Sequence, residues 1–145
     1  MGRRTKAREC AFQMLYQWEV TRAPMDQIVE SFWRLRTTTE ETRGRADARA
    51  RGAQAALPEI DAAIQEASAN WRIERMAAVD RTVLRLGTHE LMHEPETPAA
   101  VVLDEAVELA KRFGDGDSHA FVNGVLDAIR KRVRGDAQPA GTREA

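Results

Sequence analysis

The chain has 145 residues, 43% hydrophobic and 31% charged, with a formal net charge of −1. That balance describes one small soluble globular unit rather than a disordered polymer, and no apolar run approaches the ~20 residues of a membrane-spanning helix. Cys10 is the single cysteine, which excludes an intrachain disulfide framework and a multi-cysteine zinc site.

Residues 1–4 are basic but no apolar core follows them, so the pattern is not that of a secretory leader, and a cytoplasmic location is expected. Of the 22 basic residues, 19 are Arg and three are Lys. The planar Arg fork suits phosphates and base edges. A GC-rich genome produces the same bias, so composition alone does not separate the two.

No period-2 alternation is long enough for a strand, and 24 alanines favour helix, so the expected class is all-α. Residues 5–20 form the first predicted helix, with Cys10, Ala11, Met14, Leu15 and Trp18 on one stripe. Pro24 restarts the chain, and residues 25–36 point Ile28, Val29, Phe32 and Leu35 inward. Residues 37–47 are polar and read as a loop. A longer helix follows on Ala46, Ala50, Ala53, Leu57, Ile60, Ile64 and Ala67, with a kink or break expected at Gly52 and Pro58.

Residues 71–93 carry the next helical pattern, through Met76, Val79, Val83, Leu84, Gly87 and Leu91. Thr97-Pro98 starts another helix, which runs to Phe113 and stops at Gly114. Asp115–Ser118 is expected to cap a last helix that buries Val122, Val125, Leu126, Ile129 and Val133. The sum is a bundle of about six or seven helices, a weaker N-terminal half packed on a stronger C-terminal half. Residues 136–145 read as a disordered tail.

His89-Glu90-Leu91-Met92-His93 spells H-E-x-x-H, the spacing by which two helical histidines share a zinc with a glutamate base between them. Three features oppose that reading. Pro95 puts His93 in a final turn, the only other histidine, His119, lies on a different helix, and both motif histidines fall opposite the apolar stripe. Two solvated histidines suited to a helix C-terminus are expected instead. Asp80 falls inside that stripe, where a carboxylate needs a partner, and Arg75, Arg81 and Arg85 are the candidates for a structural ion pair.

Arg3, Arg4, Lys6 and Arg8 place four positive charges before Glu9, which on their own read as a solvated lead-in to the first helix or as a leader able to stay mobile and order on a phosphate backbone. Tyr16 lies off the apolar stripe beside Phe12. An off-core ring near a basic arm suits unstacked bases, whereas Phe12 is expected to pack within the bundle. Phe121 sits at the margin of the last helix's stripe. The acidic residues Asp104, Glu105 and Glu108 are balanced by Lys111 and Arg112 and read as a solvated face.

Several segments together resemble the NusB family of bacterial transcription antitermination factors. They are Ala7-Arg8-Glu9-Cys10-Ala11 with Leu15-Tyr16, then Asn70-Trp71, Val79-Asp80-Arg81 and Leu84-Arg85-Leu86-Gly87. The run from Asp104 to Lys111 follows, and last come Asp117-Ser118-His119 and the run from Phe121 to Asp127. The resemblance covers roughly residues 3–20 and 70–130.

It implies a single all-helical domain over residues 1–135, made of two small subdomains with helices at about 5–67 and 71–134. It further implies two direct partners: single-stranded boxA RNA of ribosomal RNA operons and NusE, a small-subunit ribosomal protein. Other Nus factors and RNA polymerase would complete the assembly, which reads through terminators and to which this chain would bring no catalytic residue, cofactor or metal. Arg3, Arg4, Lys6 and Arg8 match the family's arginine-rich RNA-binding start, and Tyr16, Asp117, Ser118 and Phe121 match positions lining its RNA site. Ala120 departs from the pattern, since many relatives carry a basic residue there. Two alternatives are an RNA-binding module of an rRNA cytosine methyltransferase, opposed by a chain ending at Ala145 without a cofactor-binding glycine loop, and the zinc hydrolase.

Overall fold

The computed structural model describes residues 2–135, except the side chain of Arg3; the expected disordered tail lies outside the described residues. Seven α-helices and one short 3₁₀ turn follow in order. They are α1 (Arg3–Thr21), α2 (Met25–Arg34), α3 (Glu40–Ala55), α4 (Leu57–Ala67), the turn Ile73–Arg75, α5 (Ala78–His93), α6 (Ala99–Phe113) and α7 (Ser118–Arg134). The described residues contain no strand, as the all-α expectation required, and no helix among them is long and apolar enough to cross a membrane.

The apolar stripe of α1 is buried as its spacing predicts, and Phe12 joins it, because α1 is covered from two sides, by α3 and by α5. It ends at Arg22, whose backbone is left-handed (φ 60°) and whose guanidinium lies 4.3 Å over the Trp18 ring. The predicted second helix is shorter than its pattern, and Leu35 beyond it is 83% exposed.

Most of the expected 37–47 loop is helix. Thr39 caps α3 by accepting the Thr42 N–H at 3.1 Å, and Glu40 and Glu41 suit the positive end of the helix dipole. Bulky apolar residues are missing here because Ala46, Ala50 and Ala53 let α3 lie close against α1. The expected break falls at Ala56, with Pro58 in the first turn of α4, where its missing N–H costs nothing. Gly52 stays helical. The long pattern from residue 71 also divides, since Trp71–Ala77 makes a turn and α5 begins only at Ala78.

Helix α5 is the axis of the molecule, with every residue from Thr82 to Leu91 buried and helices α1, α3, α4, α6 and α7 all against it. It runs opposite to α1. Glu19 near the end of α1 receives Arg81 and Arg85 from the start of α5, and Arg8 near the start of α1 reaches Glu90 at its far end. Arg112 at the end of α6 bonds Glu9. One face therefore gathers the middle of α1, the α6–α7 corner and the first turn of α5.

Candidate nucleic-acid interface

The α6–α7 corner is built by a glycine and a serine. Gly114 ends α6, and a Cβ added there would stand 2.5 Å from Ser118 Oγ. Ser118 is buried; its hydroxyl accepts the Asp115 N–H at 3.1 Å and donates to Asp115 Oδ1 at 3.2 Å. The expected capping of α7 by Asp117 or Ser118 is thus corrected. Asp117 occupies the N-cap position without a side-chain bond, and Ser118 fastens the corner backward instead. Asp117 is exposed.

One turn into α7, half-buried Phe121 meets Trp71 edge to face, centroids 6.2 Å apart. Trp71 is 59% exposed, an unusual position for the largest apolar side chain. A cleft of about 310 Å³ lies beside the ring pair, walled by Trp71, Arg75, Met76, Asp80, Asp117, Ser118 and Phe121 among others. A second, about 300 Å³, shares both rings and includes Asn70, Ala120 and Gly124.

The ion pair expected for Asp80 does not form. Its Oδ1 is buried without a hydrogen-bond partner. Arg81 goes to Glu19 and the Ile73 and Met76 carbonyls, and Arg85 goes to Glu19 and Asp61. The turn before α5 turns those two guanidinium groups toward α1 and α4. Burial opposes ionisation of Glu19, but the Arg81 hydrogen bond and the charges of Arg81, Arg85 and Arg22 outweigh it and hold its pKa below the ordinary value.

Tyr16 is half-buried and stacks on Phe12 (5.9 Å, 23°), which stacks in turn on Phe113 at the end of α6 (4.9 Å, 27°). The three rings run from α1 to the corner that carries Asp117, Ser118 and Phe121.

The basic leader divides. Helix α1 begins at Arg3, so a mobile arm through Arg8 is not what the fold shows. Arg4 and Lys6 are exposed, whereas Arg8 is 4% exposed and donates to both carboxylate oxygens of Glu90 (3.0 and 3.1 Å) and to Glu105 (3.4 Å). Arg8 anchors α1 on α5 and α6. An isolated helix does not reveal that, because the paired glutamates lie more than 80 residues away.

The H-E-x-x-H spacing is occupied by structure. Glu90 is buried on Arg8, and burial raises its pKa against the hydrogen bond and charge of Arg8 and the charge of Arg49. His93 is exposed beside Glu59, with 2.8 Å from Nε2 to Oε1, as a solvated residue should be. His89 is not solvated: it is 9% exposed, its ring against Gly52 where α3 covers that side of α5. Sequence reasoning also missed Trp71, Arg75 and Asp80 as walls of one cleft. A tryptophan in a short polar turn was the available signal.

Fold and face together define a small all-helical protein that carries Tyr16, Trp71 and Phe121 on one side, with most of its buried arginines and glutamates paired. The NusB family pattern matches residues 5–131, and the chain belongs to the NusB family. It is 52% identical over 133 residues to the transcription antitermination protein NusB of Sorangium cellulosum, covering 92% of this chain and 95% of that protein. The solved NusB of T. maritima superposes with a TM-score of 0.84 at 36% identity, covering 100% of this chain and 99% of the other. A structure of the antitermination factors NusB and NusE in complex with dsRNA matches at 29% identity and TM-score 0.84, over 91% and 98%.

Proposed function

We propose that the protein is a non-enzymatic adaptor of transcription antitermination that binds single-stranded boxA RNA of ribosomal RNA operons together with NusE. In the cytoplasm, with other Nus factors and RNA polymerase, the complex promotes read-through. The observation that carries this reading is the cleft that brings Asp117, Ser118 and Phe121 together with half-buried Asp80 and exposed Trp71. Exposed Trp71, with half-buried Tyr16 and Phe121, offers unstacked bases flat partners worth about 1–3 kcal/mol per base. An unpartnered carboxylate oxygen accepts from a base amino edge, and Arg4 and Lys6 supply salt-dependent attraction for phosphates. Arg3 belongs to the same leader. Arg8 serves the site by fixing the start of α1 rather than by touching RNA. The related NusB–NusE complex holds double-stranded RNA; the preference here for an unpaired strand rests on exposed Trp71 beside half-buried Phe121.

The zinc alternative loses its general base, since Glu90 is committed to Arg8. The test is a titration of boxA and a scrambled RNA, with and without NusE, at two salt concentrations. Preference for boxA that NusE strengthens and salt weakens is expected, and Phe121→Ala should reduce affinity about 5- to 150-fold. Equal binding of both RNAs would overturn the reading.

A further inference from the structure

A cleft of about 310 Å³ between α3 and the C-terminal end of α5 plays no part in the RNA reading. Arg45, Ala48, Arg49, His89, His93 and Glu94 line it. Two of these residues carry buried nitrogens without a hydrogen-bond partner, Arg49 Nη1 and His89 Nδ1, and the residues are 5% and 9% exposed. Folded proteins rarely leave such groups unpaired, because the lost hydration is not recovered.

A guanidinium nitrogen can only donate, so its missing partner is an acceptor. Arg49 spends Nε and Nη2 on Glu94, both at 3.1 Å, which offsets that carboxylate's charge. Glu59 is likewise engaged, by His93. Arg45 stands half-buried on the wall, 3.8 Å from Glu41, with 40% of its side chain exposed. A cation entering here meets two guanidinium groups, whereas an oxyanion meets their charge and the unsatisfied donors.

We propose that this cleft is an oxyanion site that receives a phosphate group, held by Arg49 Nη1, Arg45 and the Nδ1 hydrogen of His89. Gly52 makes room for the His89 ring, since a Cβ there would lie 2.5 Å from His89 Nε2 and displace it. Burial, then the charges of His93 and Arg49, hold the His89 imidazolium below the ordinary histidine range, against Glu94 and Glu59. A bound anion opposes all three effects, so bound phosphate should raise the His89 pKa.

The chain has three histidines, which makes the test direct. Full-length protein with ¹⁵N-labelled histidine is titrated with inorganic phosphate, chloride holding ionic strength constant, while the ring nitrogens are followed. Saturable shifts of His89 and His93 with none at His119 are expected, and Arg45→Ala should weaken binding roughly tenfold, the loss of one charge-assisted contact. A circular dichroism spectrum confirms that this half-exposed substitution leaves the fold intact. Absence of a saturable shift, equal drift of all three histidines, or an unchanged Arg45→Ala titration would each overturn the proposal. Given a shift with phosphate, a single-stranded RNA arm identifies the source. A matching shift assigns an RNA backbone phosphate, and none assigns the free anion; both results support the site.

Discussion

The contact of α3 with α1 and the contact of α5 with α7 bury apolar surface with opposite materials. Helix α3 contributes Ala46, Ala50 and Ala53, and its remaining buried residues are Thr42 and Arg49. Helices α5 and α7 lie against each other, Leu126 packing on Gly87, and contribute buried Val83, Leu84, Val122, Leu126 and Ile129. At ~25 cal/mol per Å² an alanine gains little from burial, so its value is the close approach that it permits. The alanine side of the molecule adds polar ties to α5 and α2. Arg8 is held by Glu90, Arg49 by Glu94, and the Trp33 indole donates to Asp47 at 2.7 Å. Stability there depends on a few charged groups, while around α7 it is spread over many methyl groups.

The sharpest way to break this contrast is Arg8→Ala. It leaves Glu90 buried without its closest partner, and urea denaturation should register a loss of about 3–5 kcal/mol. A loss below about 1 kcal/mol would mean that packing, not charge, seats α1 on α5. Leu126→Ala tests the aliphatic side. Leu126 is fully buried and fills the space over Gly87, and its truncation should cost about 2–5 kcal/mol in the same measurement. Arg134→Ala should follow at about 1.5–3 kcal/mol. This guanidinium from the last turn of α7 donates to the carbonyl oxygens of Glu90, Leu91, Glu94 and Thr97, and so closes the C-terminal end of α5. Its loss should speed amide exchange at Glu94, Glu96 and Thr97 before it affects α3.

The same contrast explains what could be read from the sequence. Helices α1, α6 and α7 followed from bulky residues at helical spacing, because the large side chains mark the buried stripe. The first two turns of α3 did not, because alanine packing leaves almost no periodic signal and the capping Thr39 looks like one more loop threonine. His89 and Arg8 were misplaced for a related reason. A wheel drawn for one helix shows its own stripe, not the neighbour that covers another side. Asp117, Ser118 and Phe121 were legible only through family resemblance, and their link to Trp71 and Asp80 exists only after the α6–α7 corner folds against α5.

Acid should separate the two regions by the smallest of these effects. His89 is held below 6.5, the ordinary histidine value, first by burial and then by the charges of His93 and Arg49. A depressed pKa contributes stability that is present above the ordinary value and lost as pH falls through the folded one. Glu19 and Glu94 are also depressed, each through arginine contacts that overcome burial, but their loss begins only below the ordinary carboxylate value of 4.5. Glu90 runs in the other sense, because burial raises its pKa and the stability linked to it is lost as pH rises. Between neutrality and about pH 5, the protonation that weakens the fold is therefore that of His89, and it acts where α3 meets α5. Hydrogen exchange should show α3 amides losing protection over that interval while buried α7 amides near Leu126 keep theirs. His89→Gln carries no titrating ring and should abolish the difference, and if α3 still loosens in that variant, the proton acts elsewhere than at the α3–α5 seam.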